Sequence, residues 1–270
     1  MSAIHELLTV MARLRDPETG CPWDVRQTYA TIIPHTLEEA YELADAIERG
    51  ESDDIRDELG DLLLQVVFLA RIAEEDGRFD FDGVAAGIRD KLIRRHPHVF
   101  ADEAPRTEAE QRHRWEAIKA EERAAREPAA PADWPPSVLD NVPLNLPALT
   151  RSRKLQSKAA RVGFDWPESS QVVGKIREEL AELEEAMDHQ PRDQAHVAEE
   201  VGDLLLACVN LARKLDVDPE QALRAGNAKF ERRFRGLEAV LKETDETPES
   251  VNFDRLEAAY QSAKVRDSQA

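Results

Sequence analysis

Acidic side chains three residues apart are the groups in this sequence whose type and spacing could do chemistry. Glu39 and Glu42 form one such pair and Glu58 and Asp61 a second; Glu179 with Glu182 and Glu200 with Asp203 repeat them further on. Residues at i and i+3 lie on one helix face. If the helices carrying two pairs pack antiparallel, four carboxylates converge. Such a group repels itself, is costly to desolvate and demands a counter-charge. Hard divalent cations supply it, and Mg2+ in particular keeps several waters and takes further oxygens from bound phosphates. Lys229 and Arg233, one helical turn apart, can hold the far phosphates. Two cations in such a cage would activate a water for in-line displacement at phosphorus.

Acid pairs at this spacing are more often solvated faces, and much of the stretch from Glu178 to Glu185 reads that way. Glu58/Asp61 and Glu200/Asp203 are different, because each pair runs directly into Leu-Leu-Leu, where a helix enters a core. Duplication strengthens the case. Glu38-Glu39-Ala-Tyr-Glu42 followed by Glu58-Leu-Gly-Asp61 is answered by Glu178-Glu179-Leu-Ala-Glu182 followed by Glu200-Val-Gly-Asp203. Lys91-Leu-Ile-Arg94-Arg95 is answered by Lys229-Phe-Glu-Arg232-Arg233, and Gly20-Cys-Pro-Trp23 more loosely by Gly163-Phe-Asp-Trp166. Acids make up 55 of 270 residues, so one acidic motif means little; two ordered copies mean duplication.

The elements that must position these groups follow a helical period throughout, which predicts an all-α fold. The pattern predicts a helix from Pro34 to Arg49 and another from Ser52 to about Gly77. A third, capped by Asp80, reaches Arg95, and a fourth, with a Thr107/Glu110 capping box, runs from Glu108 to about Arg126. Between Glu127 and Leu149 lie six of the chain's fifteen prolines, which no ordinary helix survives. Residues 127–149 therefore read as a linker between domains at 1–126 and 150–270. Its apolar residues, among them Trp134, Val142, Leu144 and Leu146, point to a segment lying against a surface. Further helices are expected over Ala148–Arg161, Pro167–His189, Asp193–Leu215, Asp218–Leu241 and Phe253–Lys264.

A formal charge of −19 disfavours binding to nucleic acid or anionic membranes. The longest apolar stretches are too short to span a bilayer. Cys21 and Cys208, distant and without CxxC spacing, fit a reducing, cytoplasmic setting, and Cys208 reads as a core residue. Glu110 and His113 make an isolated E-x-x-H pair that reads as surface, and His96-Pro97-His98 reads as a structural helix end. No glycine-rich phosphate loop or zinc spacing occurs.

Together, the intact ExxE/ExxD copies, Lys154-Leu-Gln-Ser-Lys158 through Gly163-Phe-Asp-Trp166, and Asn227-Ala-Lys229-Phe-Glu-Arg-Arg233 resemble the MazG family of tandem-domain, all-alpha nucleoside triphosphate pyrophosphohydrolases over essentially the whole chain. The resemblance implies helical modules that assemble as a homodimer into four-helix-bundle-like units. It also implies Mg2+, with Mn2+ as a substitute, and attack of water on the alpha-phosphate to release pyrophosphate and a nucleoside monophosphate. Broad specificity and nucleotide-pool house-cleaning are the implied role, with the C-terminal domain as the main catalytic one. The expected metal ligands are Glu39, Glu42, Glu58, Asp61, Glu179, Glu182, Glu200 and Asp203. Glu178 is a candidate general base beside the second set. Lys154, Lys158, Trp166, Asn227, Lys229 and Arg233 are the expected substrate contacts. Asn210 and Asn227 stand at the positions that align with Phe68 and Arg89 in the first copy, and side-chain amides suit a sugar or base better than phenylalanine does. Two other readings are a pyrophosphatase narrow for one nucleotide and a regulatory binding module whose metal sites are structural.

Overall fold

The computed structural model of the chain describes residues 2–100, 107, 110, 114, 118, 122 and 137–268. Among them every regular element is a helix, as the periodicity predicts. The chain divides into two compact units, Met1–Arg126 and Glu127–Ala270.

In the first unit, α1 (Ala3–Leu14) and the short α2 (Pro22–Val25) precede a hairpin of α3 (Tyr29–Arg49) and α4 (Ser52–Glu75). Helices α5 (Phe81–Arg95) and α6 (Pro97–Phe100) follow. The hairpin turns at Gly50, whose φ of 77° closes α3 in the left-handed conformation that a side chain would resist. Helix α3 starts five residues before Pro34, a correction to the expected boundary. A reciprocal capping box between Thr28 and Thr31 sets its start, and Ile32 on its first turns is almost wholly buried with Met11, Val67, Phe68 and Ile72. That burial outweighs the backbone hydrogen bond Pro34 forfeits. All six buried residues of α4, from Gln65 to Ala73, lie in its C-terminal half, which leaves the Glu58/Asp61 half outside this cluster.

Arg15 fastens the loop after α1. Its guanidinium bonds the carboxylate of Glu75 (2.6 Å at Nη2) and donates to the carbonyl of Asp24 (2.6 Å). It also lies 5.2 Å from the centre of the Phe68 ring. Gly20 sits so close beneath this loop that a Cβ would lie 2.4 Å from the carbonyl oxygen of Leu14, which explains the glycine. Thr107 and Glu110 exchange the reciprocal bonds of the expected capping box (2.8 and 3.3 Å). Most of the predicted 108–126 helix, including Trp115, and His113 with it, lies outside the described residues, as does Trp134.

In the second unit, a turn at Ser137–Asn141 leads to α7 (Ala148–Ala160), the hairpin of α8 (Ser169–Asp188) and α9 (Gln194–Lys214), and the pair α10 (Pro219–Lys242) and α11 (Phe253–Asp267). Asp193 and Asp218 cap α9 and α10 through two backbone N–H groups each, and Pro219 occupies the first position of α10. The core joins Leu237, Val240, Leu241 and Ala259. Gly236 lets α10 and α11 approach so closely that a Cβ there would lie 3.0 Å from that of Ala263. Of the linker's apolar residues, Val142 and Leu146 are half-buried, whereas Leu144 is exposed. Cys208 is a correction too. It is exposed, because Ala207 and Val209 on either side of it are the buried residues of α9 and a helix turns each neighbour about 100° away.

Candidate metal centre

The two hairpins place the acid pairs as the spacing requires, on facing helices. In the first unit Glu39 on α3 and Glu58 and Asp61 on α4 bring one carboxylate oxygen each to within 4.8 Å of one another. In the second, Glu179 and Glu182 on α8 and Glu200 on α9 do the same. Each trio holds three of the four expected acids. The fourth is Glu42 in one copy and Asp203 in the other, both exposed and each a helical turn from a member of its trio. Glu42 remains close enough for its charge to act on Glu39 and Glu58.

The clustered carboxylates hold one another's charge at a cost. Burial, and then the neighbouring charges of Asp61, Glu42 and Glu58, push the Glu39 carboxyl up. Burial followed by Glu42 and Asp61 does the same for Glu58. Glu182 is raised chiefly by burial and by Glu179 and Glu200, against the pull of Lys175. Only 6% of Glu179 is exposed, and it meets Lys175 Nζ at 2.8 Å. Lys175 also holds Glu178 at 2.6 Å and is itself pushed up, chiefly by these two bonds. Lys175 is a site residue absent from the sequence expectations, and its place four residues before Glu179 is the signal of the pairing. His196 stands in the same relation to Glu200, at 3.5 Å. A set of three carboxylates with no sulfur suits a hard divalent cation that keeps water in its remaining positions.

The expected substrate residues lie on α7, the loop after it, and α10. Lys154 is exposed, whereas Lys158 donates to the carbonyl of Asp140 and so braces the turn before α7. Trp166 is half-exposed and follows Asp165, which Arg213 and Lys214 (2.8 Å) clasp from the end of α9. Arg213 also donates to the side-chain oxygen of Asn210 at 2.7 Å, which occupies that acceptor. Asn227 and Lys229 are exposed on α10, and Arg233 is half-buried there.

Burial works to raise the Asp165 carboxyl, but bonds from Arg213 and Lys214 outweigh it and hold it below the usual range. A depressed carboxyl contributes stability that is present above its unfolded value, about 3.9, and is lost as pH falls through the folded one. Acid unfolding followed at α8–α9 amides should therefore show an extra loss below about pH 4. Asp165→Asn should lower stability at pH 7 and flatten that limb; an unchanged limb would mean that the clasp contributes nothing.

The MazG nucleotide pyrophosphohydrolase domain matches the chain twice, over residues 27–100 and 168–237, and each match contains one hairpin with its carboxylates. The chain belongs to the MazG family. It is 50% identical over 267 residues to the nucleoside triphosphate pyrophosphohydrolase of Escherichia coli K12, covering 99% of both chains. It is 43% identical to the nucleoside triphosphate pyrophosphohydrolase/pyrophosphatase MazG of Thermotoga maritima, covering 97% of this chain and 96% of that one. To the nucleoside triphosphate pyrophosphohydrolase of Mycobacterium tuberculosis it is 39% identical over 162 residues, 59% of this chain and 46% of that one. Members of the MazG family are metal-dependent, and the two acidic trios fit that requirement.

Proposed function

We infer that the protein is a Mg2+-dependent nucleoside triphosphate pyrophosphohydrolase that converts ribo- and deoxynucleoside triphosphates and water to monophosphates and pyrophosphate. The observation that carries this reading is the carboxylate trio, built in both units by the same hairpin, in a chain whose full-length relatives bear that name. Glu179, Glu182 and Glu200, with Asp203 one helical turn beyond Glu200, would hold the cation; Glu39, Glu42, Glu58 and Asp61 would form the corresponding site of the first unit. Bound Mg2+, or Mn2+ in its place, supplies positive charge to phosphate oxygens and acidity to a water. Glu178, next in sequence to Glu179 and paired with Lys175, would be the residue to take a proton from the attacking water. Lys229 and Arg233 hold the outgoing phosphates, while Trp166 and Asn227 offer a stacking face and an amide to the nucleoside. Lys154 and Lys158 add positive charge at α7.

The second unit carries the main turnover on this reading, since it has Asn227 where the first has Arg89. The protein would act as a homodimer in the cytoplasm. Leu180, Met187, Val201, Leu205 and Leu206 on the α8–α9 hairpin are exposed in the single chain, and a second copy could cover them. No helix among the described residues is long and apolar enough to cross a membrane. Removal of aberrant nucleotides is the role that broad specificity fits.

Pyrophosphate release should be measured across a panel of ribo- and deoxynucleoside triphosphates with Mg2+, Mn2+ or chelator. Pyrophosphate with monophosphate from several substrates, abolished by chelator, is the expected result. Release from one nucleotide alone would replace broad by narrow specificity. Silence with every substrate and divalent ion would overturn the enzyme reading and leave a binding module.

A further inference from the structure

The two basic pairs share a feature that neither the acid motifs nor the family match accounts for. Arg232 and Arg233 on α10 meet a single carboxylate, that of Asp267, the last residue of α11. Asp267 Oδ2 accepts from Nε of Arg233 at 2.9 Å, and both its oxygens accept from Arg232. In the first unit Glu122 likewise meets both Arg94 and Arg95, there through Nη2, at 2.5 Å to each. The parallel extends to exposure. The first arginine of each pair is open, at 61% and 56%, and the second is covered, at 18% and 15%. Each acid is itself well covered, at 13% and 19%. Bonds from Arg232 and Arg233 hold Asp267 down at about 2, and bonds from Arg95 and Arg94 hold Glu122 at about 2, so both acids are ionised at neutral pH.

We propose that Asp267 is a positioning residue for the phosphate-holding end of the second-unit site, fixing the guanidinium of Arg233 before substrate arrives. The proposal rests on the reading of Lys229 and Arg233 as the groups that hold the outgoing phosphates. Three observations support it. The bond uses Nε of Arg233, and no described residue takes Nη1 or Nη2, so the far edge of the fork is left for a phosphate. One carboxylate shared by two arginines leaves a net positive charge, to which Lys229 adds, so the clasp does not cancel attraction for a polyanion. The arrangement recurs with the acid changed from Glu122 to Asp267, which a chance surface ion pair would not be expected to do. A long side chain ordered in advance loses less freedom on binding.

Steady-state kinetics on the best substrate of the panel test this with the full-length chain. Ordering one such side chain is worth about a 2- to 10-fold change in affinity. Asp267→Asn should therefore raise KM about 2- to 10-fold while kcat stays within about twofold. Asp267→Glu, which installs the acid that the first unit uses, should restore KM. In an Arg233→Lys background, Asp267→Asn should add no further effect. A lower KM for Asp267→Asn would overturn the proposal and make the carboxylate a competitor for the phosphate seat. An unchanged KM with a lower melting temperature would reduce it to a tie between α10 and α11, and would overturn it equally. If Arg233→Ala itself leaves KM unchanged, the phosphate-holding reading has failed. If Arg233→Ala raises KM and Asp267→Asn does not, only the positioning role has failed. Should Asp267→Asn not fold, Asp267→Glu alone decides: a wild-type KM supports the clasp, and a KM as high as that of Arg233→Ala refutes it.

Discussion

Glu182→Gln is expected to lower Mg2+-dependent pyrophosphate release by about 10³-fold, since a cation that loses one of its few protein ligands forfeits several kcal/mol of charge stabilisation. Glu182 is one of three acids brought within 4.8 Å, and a neutral amide at that point keeps the shape while removing the charge. Glu184→Gln on the same helix is the control. Glu184 is exposed, removes the same formal charge and points to another side, so turnover should stay within about twofold. A second measurement sets a ligand apart from a stabilising acid. Burial and the charges of Glu179 and Glu200 push the Glu182 carboxyl up, so the ionised group is under repulsion when no cation is bound. Glu182→Gln should therefore melt higher than the wild type in chelator and gain less from added Mg2+. Retained turnover in Glu182→Gln, lost instead in Glu39→Gln, would move catalysis to the first unit. A lower melting temperature in chelator would mark Glu182 as a structural acid.

Arg15→Leu should destabilise the first unit by about 3 kcal/mol, because breaking a covered ion pair strands its partner. Arg15 is 7% exposed, and its loss removes bonds to Glu75 and donors to the carbonyls of Asp24 and Gln27. Glu75 keeps Arg71 at 2.9 Å, which places the cost at the lower end of the range for such pairs. Hydrogen exchange read by segment in the full-length chain is the suitable probe, since a chain of two units has no single unfolding free energy. Amides of α1 and α4 should lose protection by about 10²-fold. Those of α10 and α11 should not change. A loss below about threefold in α4 would show that Arg71 and water replace Arg15 without cost.

The carboxylate pairs were legible before any fold because a helix converts a spacing of three into a shared face, and because the duplication set one copy beside the other. Helix starts at Asp80, Asp193 and Asp218 were equally legible, since the capping oxygen and the first N–H groups are neighbours in sequence. The same locality misled at Pro34, where the burial of Ile32 against α4 extends the helix upstream of the proline.

The sequence by itself thus determined the helical class, the duplication, the eight acids and the basic pairs, all of which rest on residues a turn or two apart. Tertiary structure alone decided which three of each four acids meet. It also decided that Asn210 spends its oxygen on Arg213, that Cys208 faces outward, and that Asp165 is clasped from the end of α9. The clasps by Glu122 and Asp267 belong with these, since 28 and 35 positions separate those acids from the outer arginine they hold. A lone acid that far along the chain looks like any other of the fifty-five, until the packing of one helix on another brings it to its partner.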